Sequence, residues 1–262
     1  MDLQLDYIAL VLILLQLILL VRIARALEGL NPAKIAEAIK ASQSEKQENE
    51  IAAKQRSKVC LDELDATQKA MLARGRTAYL GAGGELDELW EPFLLRFYVN
   101  YNWNEEVALE KMTATARWRR DQGVDAIRRR YASGKKLGQH PSYTTLLNAI
   151  GAGFGHRRAL DGDMLSVVAI GHFSPDVWFR TQSDDEYYEI SLHVFEWLML
   201  TADALSAKER YLCRQTMILD YDGLSWQHLN PRIFFRMRPE IAVLAQYYPE
   251  CMGAAICINT PG

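Results

Sequence analysis

Hydrophobic residues along this chain fall into three kinds of pattern, each predicting a different element. Residues 7–21 read YIALVLILLQLILLV, with Gln16 the one polar side chain, between Asp6 and Arg22. Uniform hydrophobicity around the whole circumference, with no polar face, predicts a segment that leaves water rather than a core helix. As a helix it covers about 22 Å. That is shorter than a hydrocarbon core of roughly 30 Å, and Leu3, Leu5 and a snorkelling Arg22 make up the difference. Residues 31–58 then mix both charge signs with Ala, Gln and Ser, which builds no core and predicts a solvated helical stalk with weak coiled-coil character. An amphipathic stretch over 61–76 is broken by Gly81-Ala82-Gly83-Gly84, and a new helix is expected from Leu86. Residues 89–130 are helical in pattern, with Val107, Leu109, Met112, Ala116 and Trp118 near helical spacing, Asn104 as N-cap and Gly123 as a stop.

After Gly151 the period changes. Three apolar, β-branched runs, 164–170 (MLSVVAI), 216–220 (TMILD) and 254–259 (AAICIN), read as strands, and 185–204 and 231–247 have helical length and spacing. Strand, helix, strand, helix, strand implies right-handed crossovers and a parallel sheet, and the nearly unbroken apolar character of each run predicts burial on both faces. The expected fold class is α/β: a helical N-terminal subdomain followed by a mostly parallel sheet with flanking helices, preceded by one transmembrane helix. The expected divisions are an anchor over 1–28, a stalk over 29–60, a helical subdomain over 61–135 and a sheet domain over 136–262.

Charge refines this picture. Asp2 and Asp6 precede the apolar run while Arg22, Arg25 and Lys34 follow it, so the positive-inside bias predicts a single-pass membrane protein with everything after residue 22 in the cytosol. Ala24-Arg25-Ala26 offers a formal signal-peptidase site, but the acidic front and crowding arginines favour an uncleaved anchor. A net charge of −3 removes the footprint for nucleic acid. The cluster Arg117, Arg119, Arg120, Arg128, Arg129, Arg130, Lys135 and Lys136 reads as a solvated helical face that, beside a membrane, attracts anionic headgroups. Cysteines at 60, 213, 251 and 257 and histidines at 140, 156, 172, 193 and 228 show no metal or redox spacing, so no metal site is expected and a reducing compartment fits. No catalytic constellation is expected either: Gly151 to Gly155 precedes His156-Arg157-Arg158 rather than a helix, Gly223-Leu224-Ser225-Trp226-Gln227 lacks the second glycine of a nucleophile elbow, and Asp220 and Asp222 fit a capped turn.

Several segments resemble a known family. LLRF (94–97), Trp103-Asn104 and the helix leading to WRRDQGVD (118–125), then TMILDYDGLSWQHLNP (216–231) and QYYPECMGAAICINTPG (246–262), are similar to the CRAL-TRIO lipid-binding family, in its phosphatidylinositol/phosphatidylcholine transfer branch. The likeness covers roughly residues 86–262. Departures are Val99 and Tyr101 in place of two motif arginines, Cys251 in place of the arginine after YPE, and a degenerate turn at Leu160-Asp161-Gly162-Asp163. In that family a further gate helix and strand follow the INTP-like segment, so the resemblance implies a domain that is C-terminally incomplete over 136–262. It also implies an apolar pocket holding one lipid, with no catalytic step and no cofactor. Glu250 and the retained Arg96 are the headgroup residues so implied, with membrane lipids, phosphoinositide among them, as partners.

Extracting a lipid requires apolar surroundings worth about 0.8 kcal/mol per methylene. Val167, Ala169, Trp197, Leu200, Ile218 and Ile256 are the lining expected for such a pocket, ordinary core packing being their other reading. The rival function is a membrane-tethered interaction module on the same fold that docks a small GTPase or another protein.

Overall fold

The computed structural model describes residues 58–150 and 152–260; the expected anchor and all but the end of the stalk lie outside the described residues. Within the described residues no helix is long and apolar enough to cross a membrane. Lys58–Gly262 pack as one compact unit.

Four helices open the unit. Helix α1 (Ala66–Gly81) starts at a capping box, in which Asp65 accepts from the Gln68 amide at 2.8 Å and Gln68 accepts from the Asp65 amide at 3.0 Å. Helix α2 (Trp90–Asn100) begins later than Leu86, because the Asp87 side chain accepts from the Leu89 amide at 3.0 Å and holds the preceding residues in a turn. Helix α3 (Glu105–Asp121) has the expected N-cap, Asn104 accepting from the Val107 amide at 3.3 Å. Gly123, at φ +69°, ends it and turns the chain into α4 (Val124–Ala132). Leu94, Leu95, Phe97, Tyr98, Met112 and Ala116 are buried where α1, α2 and α3 meet. Contact there is close enough that a Cβ on Gly75 would stand 2.9 Å from the Tyr98 hydroxyl.

Beyond a 3-10 turn (Leu137–Gln139) and helix α5 (Tyr143–Ile150), strands β1 (Ala152–Arg158), β2 (Met164–Ala169), β3 (Gln215–Asp220) and β4 (Met252–Ile258) form one sheet in the order β1-β2-β3-β4. Strands β2, β3 and β4 run parallel, joined by α6 (Pro175–Thr181) with α7 (Asp184–Glu209) and then by α8 (Pro231–Tyr247). The alternating order read from the sequence is therefore the order of the fold. Strand β1 is an addition to it: this antiparallel edge, irregular between Gly153 and Arg157, is built from a glycine-rich segment whose side chains carry no strand signal.

Burial on both faces of every strand does not hold. Ile256 and Ile258 of β4 are 48% and 40% exposed, because among the described residues no element covers the outer face of the edge strand; Met252, which the register shift between Gln215 and Thr216 places on the cavity face, is also 40% exposed.

Candidate functional site: an apolar cavity on one face of the sheet

A cavity of about 510 Å3 lies between the sheet and its two long crossover helices. Its floor is one set of alternate strand residues, Met164 and Val168 on β2 and Gln215, Met217 and Leu219 on β3, which the parallel register places side by side. Helix α7 contributes Tyr187, Ser191, Val194, Phe195, Leu198 and Ala202, a stripe at spacings of three and four. Helix α8 contributes Ile233, Met237, Glu240 and Leu244 at the same periodicity.

Six residues were expected to line such a pocket, and none does. Val167, Ile218 and Ile256 are also neighbours across the sheet, but on the opposite face, and Ala169 shares their parity. Shifting a strand reading by one residue exchanges its two faces, and here both faces are apolar, so alternation does not tell them apart. Trp197 and Leu200 are half-buried and pack in the core cluster beside the cavity instead of lining it.

The cavity's polar content is small. Among the described lining residues there is no lysine or arginine, and Glu240 is the one acid. Burial pushes its carboxyl up to about 8, which leaves it mostly protonated at neutral pH, and the Tyr187 hydroxyl donates to its Oε2. The signal for it in the sequence is an acid on the apolar side of the amphipathic helix α8.

Arg96 and Glu250 have other work. Arg96 has no exposed surface; its Nε donates to Asp203 Oδ1 at 2.9 Å, and its Nη1 and Nη2 donate to the backbone carbonyls of Glu250 and Cys213, each at 2.8 Å. With those nitrogens committed and no path to solvent, it is a fixed strut rather than a headgroup contact. The Glu250 carboxylate pairs with Arg214, Nε to Oε2 at 2.6 Å, both side chains nearly buried.

The basic cluster likewise divides. Arg119 is buried and bidentate on Glu196 at 2.7 and 2.9 Å, with Asp125 at 2.6 Å on its Nε. Burial opposes the Arg119 charge, but Glu196 outweighs it and holds that guanidinium well above its ordinary range. Arg128 joins Asp203 at 3.1 Å to Asp87 at 2.7 Å. Arg120 and Arg129 remain on the surface, paired with Asp121 and Glu85. Asp220 and Asp222 form the expected capped turn, the Asp222 amide donating to Asp220 Oδ1 at 3.0 Å.

A mostly parallel sheet, crossover helices and, among the described residues, an apolar cavity between them define a domain with room for a lipophilic molecule. Residues 149–262 match the CRAL/TRIO domain model, so this segment of the chain is a CRAL-TRIO domain. The chain is 24% identical over 203 residues to Protein real-time of Anopheles gambiae, covering 77% of this chain and 28% of that protein. It is 22% identical over 169 residues to Protein real-time of Drosophila melanogaster, covering 64% and 24%. Against the Sec14 cytosolic factor of Schizosaccharomyces pombe it is 24% identical over 200 residues, covering 76% and 66%. The chain thus spans about a quarter of the length of the real-time proteins it matches. The crystal structure of Sfh5 superposes with a TM-score of 0.54 at 14% identity, over 75% of this chain and 72% of that one, a likeness of fold.

Proposed function

We propose that this chain is a membrane-tethered lipid-binding protein whose cavity encloses the apolar portion of one lipid and moves it between membranes. The observation that carries this reading is the cavity itself: about 510 Å3, walled by apolar stripes from two helices and a sheet. A volume in the usual range for ligand pockets, with few polar groups, suits hydrocarbon, since each methylene transferred from water gains about 0.8 kcal/mol. The match of residues 149–262 to the CRAL/TRIO domain model supports the same ligand class. The apolar run at residues 7–21 supports the tether and, with the charges around it, a cytosolic domain.

A phosphorylated headgroup, phosphoinositide included, finds no cation among the described lining residues, so such a lipid would keep its phosphate at the rim with only its acyl chains inside. The interaction-module reading draws on the uncovered outer face of β4, where Ile256 is 48% exposed and a partner such as a small GTPase has an apolar surface to dock on.

Native mass spectrometry of the full chain in detergent micelles, with lipid extraction, tests the proposal. One stoichiometric co-purified lipid is the expected result. A folded but empty protein that also takes up no labelled phosphatidylinositol, phosphatidylcholine or sterol would overturn it in favour of the interaction module.

A further inference from the structure

Three side chains from two distant segments of the sequence come together beside the cavity wall. His140 closes the 3-10 turn Leu137–Gln139, while Glu189 and His193 stand four residues apart on one face of α7. Each offers a ligand-type atom, and these atoms lie within 4.8 Å of one another. The two rings are 4.3 Å apart between centroids and are 7% and 6% exposed, whereas the Glu189 side chain is 64% exposed.

From this juxtaposition we infer that His140, Glu189 and His193 bind a transition-metal dication of the zinc type, with two imidazoles and one carboxylate as protein ligands. That donor set suits zinc, and an incomplete protein shell leaves a coordination position for solvent. Bond lengths near 2.1 Å require the donors to draw closer than they stand. Glu189, now 3.9 Å from His140 Nε2, is the exposed and movable member that closes the site.

The surroundings fit ligation. The Tyr131 hydroxyl sits 2.8 Å from His193 Nδ1, which orients that ring and leaves Nε2 for the ion, as partners behind metal-bound histidines do. Two features oppose binding. The Ser142 amide donates to His140 Nδ1 at 3.2 Å, so ligation through Nε2 moves the ring proton to Nδ1 and gives up that bond. Arg130 places a positive charge near both rings, offset by the Glu189 carboxylate at His140 and by the Glu196 carboxylate at His193.

The ion would also cross-link two walls of the cavity. His193 is followed on α7 by the lining residues Val194 and Phe195, and His140 leads into α5, which supplies Leu146.

The test is zinc titration of the chelator-stripped full chain in detergent micelles, by competition with a chromophoric chelator, together with cobalt absorption spectra. Expected are one ion per chain and visible cobalt bands lacking a thiolate charge-transfer band. Glu189→Ala should weaken binding roughly tenfold or more while leaving the metal-free melting temperature unchanged. His140→Gln and His193→Gln should each remove it. Should His193→Gln fail to fold, the exposed Glu189→Ala variant decides. No stoichiometric uptake, uptake that survives Glu189→Ala and His140→Gln, or a thiolate band assigning the ion to the free cysteines would overturn the site.

Discussion

Arg96 and Glu250 do meet, but through a guanidinium nitrogen and a backbone carbonyl, at 2.8 Å, while the Glu250 carboxylate turns to Arg214. The two residues therefore fix where the chain turns into β4, and neither offers free charge to a lipid. The Glu250 backbone itself sits at φ +52°, a conformation uncommon for a side chain of this kind.

Arg96→Ala should cost stability and not affinity. Removing the cation leaves the buried Asp203 carboxylate with Arg128 alone and strands the Cys213 and Glu250 carbonyls. Breaking one partner of a buried pair costs about 3–5 kcal/mol. Urea denaturation should show a loss of that order, while lipid affinity measured on the folded fraction stays unchanged; a selective loss of phosphoinositide binding would contradict this assignment.

The two faces of the sheet should respond differently to substitution. Leu219→Trp projects into the cavity and should abolish most uptake of a fluorescent lipid. Ile256→Thr, on the exposed face, should leave uptake at the level of the unmodified chain. Equal losses from both would mean that the cavity is not where lipid resides.

Glu240 should make stability fall as pH rises. Its carboxyl is held near 8 in the fold by burial, against an ordinary value of 4.5, so the folded state binds the extra proton between those limits. The stabilisation of the neutral acid is complete below about pH 4.5 and is lost as pH climbs through 8, with a slope of at most about 1.4 kcal/mol per pH unit. Other groups titrate over the same range, so the informative quantity is the difference between the unmodified chain and Glu240→Gln. Urea midpoints at pH 5, 6.5 and 8 should show the glutamine variant gaining relative stability toward pH 8, and parallel profiles would refute the buried acid.

Deletion of residues 1–28 should move the chain from a carbonate-resistant membrane fraction to the soluble fraction without changing the circular dichroism of the remainder. Retention in the carbonate-resistant fraction after deletion would assign membrane attachment to another part of the chain.

Much of this architecture could be read in advance because it is written in period and punctuation. The limits of α8 follow from Pro231 and the spacing that ends at Tyr247, and Asn104 caps α3 as its residue type dictates. The cavity face was not legible. In MLSVVA both alternating sets are mostly apolar, so the strand carries no record of which set meets α7 and α8. That choice is made only by packing, and it reversed every strand residue assigned to the lining. Strand β1 was hidden for the opposite reason, since its Gly-rich segment pairs through backbone groups that the side chains do not advertise. Arg96 was singled out from a motif, whereas its partners Asp203, Cys213 and Glu250 are supplied by tertiary contact.

The struts from α2, α3 and α4 also set how the protein can be cut. Asp203 and Glu196 are wholly buried on α7, and the cations that neutralise them, Arg96, Arg128 and Arg119, all precede residue 149, where the family-defining segment begins. An excised 149–262 fragment would lose these cations together with the helices that cover this side of α7, baring its apolar face and two unpaired carboxylates on the very helix that walls the cavity. The segment by which the family is known is thus not the smallest piece able to stand alone: its independence is borrowed from the helices before it.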